Sequence, residues 1–225
     1  ALKVTMKPAI KIVKFKVRRY YLYYLARIAA FIFGVIPIGF ALKISEILGR
    51  LTFAILVKYR SIAVSNLKNA FRDEKGEREL RRIASRVFEN LAKNALELVN
   101  FPKITSRNLD RIVRIENIDI VDTALKAARG VILLTGHFGN WELVALAFRL
   151  KGYEGAVIGR RIYFDKYDKY LNGLRRFHDV NIIYRDESPK KIIRALRENK
   201  IIGILADQDV DSVDGVFVNF LGRAA

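Results

Sequence analysis

The stretch whose reading decides the fold is Gly130-Val131-Ile132-Leu133-Leu134-Thr135-Gly136-His137-Phe138-Gly139-Asn140-Trp141-Glu142, followed by LVALAF to Phe148. An apolar run of strand length stops at a glycine, and the apolar residues resume with helical spacing after a second glycine. That pattern predicts a buried strand over 131–135 and a helix over 141–150. One of the chain's two histidines stands in the break. A side chain there sits at the C-terminal end of a strand, where open parallel α/β sheets bind their ligands.

Working outward, the alternation continues from residue 118 to 206. Further helices are expected over 119–129 and 164–177, and a last one from the N-cap Ser188 with Pro189 at its first position to Glu198. Strands are expected over 155–159, 180–184 and 201–206. Alternating elements of this length specify an α/β fold, a mostly parallel sheet covered by helices. The residues before it read as helical. Segments 44–57 and 59–71 are amphipathic, and 77–99 carries Leu80, Ile83, Ala84, Val87, Leu91, Ala95 and Leu98 at spacings of three and four.

The 225 residues are 52% apolar and 28% charged, which suits a folded chain with one sizeable core. With no cysteine, disulfides and thiolate metal sites are excluded, and a reducing compartment fits. The net charge of +18 is unevenly placed: residues 1–60 hold twelve Lys and Arg against Glu46 alone, a net +11. Such a region seeks anions. Its neighbours argue against nucleic acid, because Tyr20, Tyr21, Tyr23 and Tyr24 lead into residues 28–42 (IAAFIFGVIPIGFAL), which carry no charge. Fifteen helical residues cover about 22 Å against a hydrocarbon core of about 30 Å, and Pro37 interrupts the helix. An interfacial or re-entrant anchor on an anionic membrane is therefore expected rather than a simple span. A start at Tyr20 with Arg27 snorkelling would reach across. The organisation expected is a basic and apolar helical membrane anchor over 1–60 and an α/β domain over 61–225. The tyrosines read equally as interfacial residues and as packing residues.

His137 and Glu142 are the candidate catalytic pair. On one continuous helix, five residues would separate them by about 140°, so they meet only across a bend. Gly136 and Gly139 permit one. Glu142 would accept a hydrogen bond from one imidazole nitrogen, leaving the other to take a proton from a hydroxyl. No Ser, Thr or Cys stands as an obvious nucleophile, which favours direct attack by an acceptor hydroxyl. A structural histidine in a tight turn is the plain alternative. A zinc site lacks ligands, since the other histidine, His178, is distant and reads as structural.

These residues resemble a known family. Gly136-His137-Phe138-Gly139-Asn140-Trp141-Glu142 is similar to the motif of the lipid A biosynthesis (late) acyltransferases, within the lysophospholipid acyltransferase superfamily and its His-x4-Asp/Glu signature. The likeness extends to Arg60 through Phe71, Val157-Ile158-Gly159-Arg160, Leu174-Arg175, Leu205-Ala206-Asp207-Gln208 and the run from Gly215 to Arg223. It implies an acyltransferase α/β domain in which His137 is the general base and Glu142 orients it. Arg160, or Arg161 beside it, would meet an anionic part of substrate such as a phosphate. Asn140, Arg175, Asp207 and Gln208 would join the substrate site. The resemblance further implies transfer of a fatty acyl chain from acyl carrier protein to a hydroxyl of a phosphorylated glycolipid, at the cytoplasmic side of the cell inner membrane. It implies no cofactor and no metal, and a fold that continues past Ala225. Val144, Leu146, Ala147 and Phe148 are near enough to contribute to an acyl groove. The acidic run Asp207 to Asp211 is not a calcium loop, because Ser212 and Val218 stand where glycine and glutamate are needed. Two alternatives remain: a glycerolipid or mannolipid acyltransferase using acyl-CoA, and a non-catalytic basic membrane-binding protein.

Overall fold

A computed structural model describes residues 7–187, 189–208 and 218–224. Ser188, the acidic run beyond Gln208 and residues 215–217 of the last motif block lie outside the described residues. The first helix, α1 (Lys7–Val35), ends where Pro37 takes φ −58° and ψ 136°, and α2 (Ile38–Ile55) starts directly after it. Proline has no N–H to continue the ladder, so the apolar stretch is split as its sequence predicts. α3 (Val57–Phe71) and α4 (Glu77–Val99) follow, α4 with Glu77 and Glu79 in its first turn, where the helix dipole favours acid.

Ala41, Ser45 and Gly49 recur every fourth residue along α2 and are buried against α4. Their small side chains let the two backbones come close. A Cβ at Gly49 would lie 2.4 Å from Glu89 Cα. Residue 60 falls inside α3, and α1, α2 and α3 each pack against α4 in one helical layer. Tyr20 and Tyr23 of α1 pack edge-on against Phe164 and Tyr167, with centroids 5.2 and 5.4 Å apart. The Tyr24 hydroxyl accepts from Lys166 Nζ at 2.9 Å. Tyr23 is the half-buried member of the cluster, while Tyr20, Tyr21 and Tyr24 stay exposed, Tyr21 to 67%.

Beyond α4 come α5 (Asp119–Lys126), β1 (Val131–Thr135), α6 (Trp141–Leu150), β2 (Gly155–Gly159), α7 (Asp165–Arg176), β3 (Asn181–Tyr184), α8 (Lys190–Arg197) and β4 (Ile201–Leu205). α5 stops short of residue 129 because Ala128 turns to φ +54°. The four strands form one parallel sheet in the order β1-β4-β2-β3, so β4, the last of them in sequence, inserts between β1 and β2. Two short strands, β5 (Asn219–Phe220) and β6 (Arg223–Ala224), pair antiparallel apart from it. Among the described residues, no helix is long and apolar enough to cross a membrane.

Leu146 and Ala147 do not line a groove. They are fully buried with Phe101, Ile104 and Leu109 in the core beneath α6, because that face of the helix turns inward. Phe148 borders a separate small cavity with Leu133 and Tyr153.

The close α2–α4 approach makes a direct prediction. Gly49→Val should destabilise the protein by about 1–3 kcal/mol through overpacking, despite the gain in helix propensity over glycine. The midpoint of chemical denaturation measures it, and an unchanged midpoint would mean that the two helices are not held at this distance.

Candidate active site

The site follows from strand register. β1 pairs with β4 from Val131↔Ile201 to Thr135↔Leu205, a constant offset of 70 residues. The ladder continues as Ala206 N–H donates to Thr135 O at 3.2 Å. Two residues past each strand end, the same offset sets His137 against Asp207. The His137 amide donates to Asp207 Oδ2 at 2.7 Å, and His137 Nδ1 lies 2.7 Å from Asp207 Oδ1. An ionised carboxylate only accepts, so Nδ1 carries the proton and Nε2 keeps its lone pair. The imidazole hydrogen bond, followed by the backbone one, holds the Asp207 carboxyl below its ordinary value. Glycine at 136 leaves room for this contact, because a Cβ there would come 2.9 Å from Asp207 Oδ2 and push the carboxylate aside.

The bend after His137 is built by its neighbours. Gly139 adopts φ +59°, the left-handed region glycine enters without cost, and its carbonyl accepts from Asn94 Nδ2 at 2.6 Å. Asn140 caps α6 by accepting from the Leu143 amide at 3.2 Å, and its Nδ2 donates to Glu97 Oε2 at 2.6 Å. Both ends of the Asn140 amide are thereby engaged in structure. The Trp141 ring meets His137 edge-on at 4.9 Å.

Glu142 does not hydrogen-bond to His137 as expected. Arg175, from the last turn of α7, takes both of its oxygens: Nε donates to Oε2 at 2.8 Å and Nη2 donates to Oε1. The two side chains are only 12% and 15% exposed. Nη1 of Arg175 donates to Asn172 Oδ1 at 3.1 Å, and Asn172 Nδ2 reaches Tyr184 Oη at 2.6 Å and Asp168 Oδ2 at 3.0 Å. The Tyr184 hydroxyl also donates to Asp168. Burial pushes the Asp168 carboxyl up, but the hydrogen bonds from the Ile162 amide and Tyr184, with the Arg161 and Arg175 charges, hold it below its usual range.

His137, Glu142, Arg160, Arg175 and Gln208 share one cavity of about 330 Å³ with Trp141 and Leu171. Arg161 is turned away from it. Its guanidinium pairs with Asp186 at 3.2 Å and Glu187 at 3.8 Å and lies 3.9 Å over the Tyr184 ring. Arg185 also lines the cavity and has no motif to mark it. Its position one residue past a parallel strand is the signal that would have found it. His178 is structural, its Nε2 donating to the Phe101 carbonyl at 2.8 Å. A second cavity of about 400 Å³, lined mainly by alanines, leucines and aromatics, lies between α1, α2, α4 and α7 and shares Leu171 with the first.

The family model of the bacterial lipid A biosynthesis acyltransferases matches residues 9–225. Two phosphatidylinositol mannoside acyltransferases from strains of Mycobacterium tuberculosis are 26% identical to the chain over 133 residues, which is 57% of this chain. The match spans 40% of the length of those relatives.

The His137–Asp207 contact sets two expected outcomes. Nitrogen NMR should find neutral His137 protonated at Nδ1, and Gly136→Ala, which crowds the carboxylate, should abolish that bias; equal tautomer populations in the native protein would refute the contact. Because the Asp207 pKa is lowered on folding, its stabilisation is complete above the ordinary carboxylate pKa. It is lost as pH falls through the lowered value. Asp207→Asn should therefore flatten the acid limb of stability against pH, read by denaturation at successive pH values.

Proposed function

The chain belongs to the bacterial lipid A biosynthesis acyltransferase family, and on that footing we propose that it is a membrane-associated O-acyltransferase. It would move a fatty acyl chain from acyl carrier protein to a hydroxyl of a phosphorylated glycolipid. The observation that carries this reading is His137, with Nδ1 tied to Asp207 and its side chain lining a cavity.

In this reaction Nε2 accepts the proton of the acceptor hydroxyl as its oxygen attacks the thioester carbonyl. The tetrahedral intermediate collapses, the carbon–sulfur bond breaks, and the imidazolium returns the proton to the departing thiolate. Asp207 stabilises the imidazolium in between. No Ser, Thr or Cys is among the described residues lining the cavity, which suits direct transfer without an acyl-enzyme. Glu142 fixes the Arg175 guanidinium at the cavity wall rather than touching the base. The apolar cavity beyond Leu171 suits the acyl chain. The charge of +18 suits steering of an acidic carrier protein.

Attachment to the cytoplasmic face of the inner membrane is part of this reading. α1 to α3 present Phe31 (75% exposed), Phe40, Ile55 (72%), Val57 and Tyr59 to the outside, among Lys43, Arg50, Lys58 and Arg60. Apolar side chains ringed by cations suit helices lying in an anionic interface. A second reading takes a mannolipid as acceptor, which the names of the mycobacterial relatives favour, and pairs it with acyl-CoA as donor. Competition between the two thioesters distinguishes the donors.

With labelled acyl carrier protein in membrane extracts, His137→Ala and Asp207→Asn should each lower transfer by about 10²–10⁴-fold. Wild-type rates in both variants would reject the assignment. Phe40→Ser combined with Ile55→Ser should weaken flotation with anionic vesicles at high salt, where charge is screened and apolar insertion remains. Complete release of the wild type by salt would reject insertion.

A further inference from the structure

The bend that carries His137 is held from two sides, and the sheet supplies only one of them. Strand register fixes His137 on Asp207 and ends there. The chain then reaches α6 through Gly139, at φ +59°, where the backbone has the freedom of a glycine. The second hold comes from α4. Asn94 and Glu97, three residues apart and so on one face of that helix, meet two consecutive residues of the bend. Asn94 Nδ2 donates to the Gly139 carbonyl at 2.6 Å, and Glu97 Oε2 accepts from Asn140 Nδ2 at 2.6 Å. Lys93, beside Asn94, pairs with Glu46 of α2 at 2.6 Å, so α4 is a strut between α2 and the bend.

The contact between Glu97 and Asn140 is chemically selective. Asn140 Oδ1 accepts from the Leu143 amide at 3.2 Å, which leaves its NH2 group for Glu97, and a carboxylate can only accept. Aspartate caps a helix as well as asparagine does, so capping alone does not call for the amide. Glu97 does call for it. Among the described residues Glu97 has no ion pair, and nothing there would offset a second negative charge 2.6 Å away. What Asn140 holds in place is the first turn of α6, which opens with Trp141 and Glu142. The Trp141 ring meets the His137 ring edge-on at 4.9 Å, and Glu142 fixes Arg175 at the cavity wall.

We propose that Asn94 and Glu97 are positioning residues of the active site. Through Gly139 and Asn140 they set where α6 begins, and with it how the Trp141 ring is placed against His137. The catalytic consequence rests on the acyltransferase reading; the placement of the two rings does not. Neither α4 side chain lines the cavity that holds His137, so their loss should fall on kcat more than on KM.

Exchanging the amide and the carboxylate tests this. Trp141 is the chain's only tryptophan, so the nuclear Overhauser contact between its ring and that of His137 reports the placement without any substrate. Glu97→Gln keeps an acceptor for Asn140 and should retain the ring contact and most of the transfer rate. Asn140→Asp sets two carboxylates against each other; it should lose the contact and lower kcat about tenfold to a hundredfold. Asn140→Asp combined with Glu97→Gln again sets one donor against one acceptor, and it should recover both. Asn94→Ala frees the Gly139 carbonyl and should weaken the contact and lower kcat about tenfold. Circular dichroism and the melting temperature check that each variant folds. An Asn140→Asp variant that behaves as wild type would reduce Asn140 to a helix cap and overturn the role of Glu97, as would a double variant no better than Asn140→Asp alone. A wild-type ring contact and kcat in Asn94→Ala would overturn the role of Asn94. Absence of transfer by the wild type would count against the acyltransferase reading, and the ring contacts across the same variants would still decide the positioning.

Discussion

The parallel pairing of β1 with β4 is the constraint on which the site depends. Side chains alternate faces along a strand, so a slip of one residue would turn Asp207 away from His137 altogether. The register is held by the β1–β4 ladder and by the Ala206 amide on Thr135 beyond it. Gly136 then lets the carboxylate approach until it bonds both the backbone and the ring of one residue. A histidine oriented in this way owes its geometry to strands 70 residues apart in sequence, and only the insertion of β4 beside β1 brings them together.

Glu142 and Asp207 illustrate how partners are divided among carboxylates. Glu142 lies in a largely enclosed position, where an ionised carboxylate needs a partner that is always charged. Arg175 meets that need with two parallel donors, and a neutral imidazole does not. Asp207 lies in a more open position and can be satisfied by an amide and an N–H of the ring. The network from Arg175 through Asn172 to Asp168 and Tyr184 ties α7 to β3, so the Glu142 ion pair also fixes the spacing of the helices over the sheet.

Local physics was readable in the sequence and long-range pairing was not. Period and turn residues located α4, α6, β1 and β2 to the residue, since apolar spacing and glycine stops are properties of the chain itself. They also placed His137 at a strand end. The sequence motif suggested His137 with Glu142, because residues close in sequence across a bend look close in space. Nothing local encodes that β4 lies between β1 and β2, and so Asp207 was marked as a site residue without its partner. Arg185 was missed for the same reason, since its neighbour Arg160 is defined only by the β2–β3 register. Leu146 and Ala147 were misread because an apolar helix face near a site looks the same in sequence whether it lines a groove or fills the core.

The N-terminal helices connect the sheet to the proposed membrane reading. α2 has two unlike faces. Ala41, Ser45 and Gly49 press on α4, while Phe40, Ile47, Leu51 and Ile55 lie outside. The inner face is small because backbones must approach, and the outer face is large and apolar although no part of the described chain covers it. Exposed apolar residues scattered singly need no explanation, but a face of them along three consecutive helices does. Two of these helices, α1 and α2, line the apolar cavity with α4 and α7, and that cavity shares Leu171 with the one that holds His137. On the proposed reading, one helical layer therefore does two jobs that share a single physical requirement. It rests its outer face among lipid chains, and it keeps water away from an acyl chain on its inner side. His137 then stands at the boundary between that dry cavity and the arginine-lined mouth where a charged headgroup would lie.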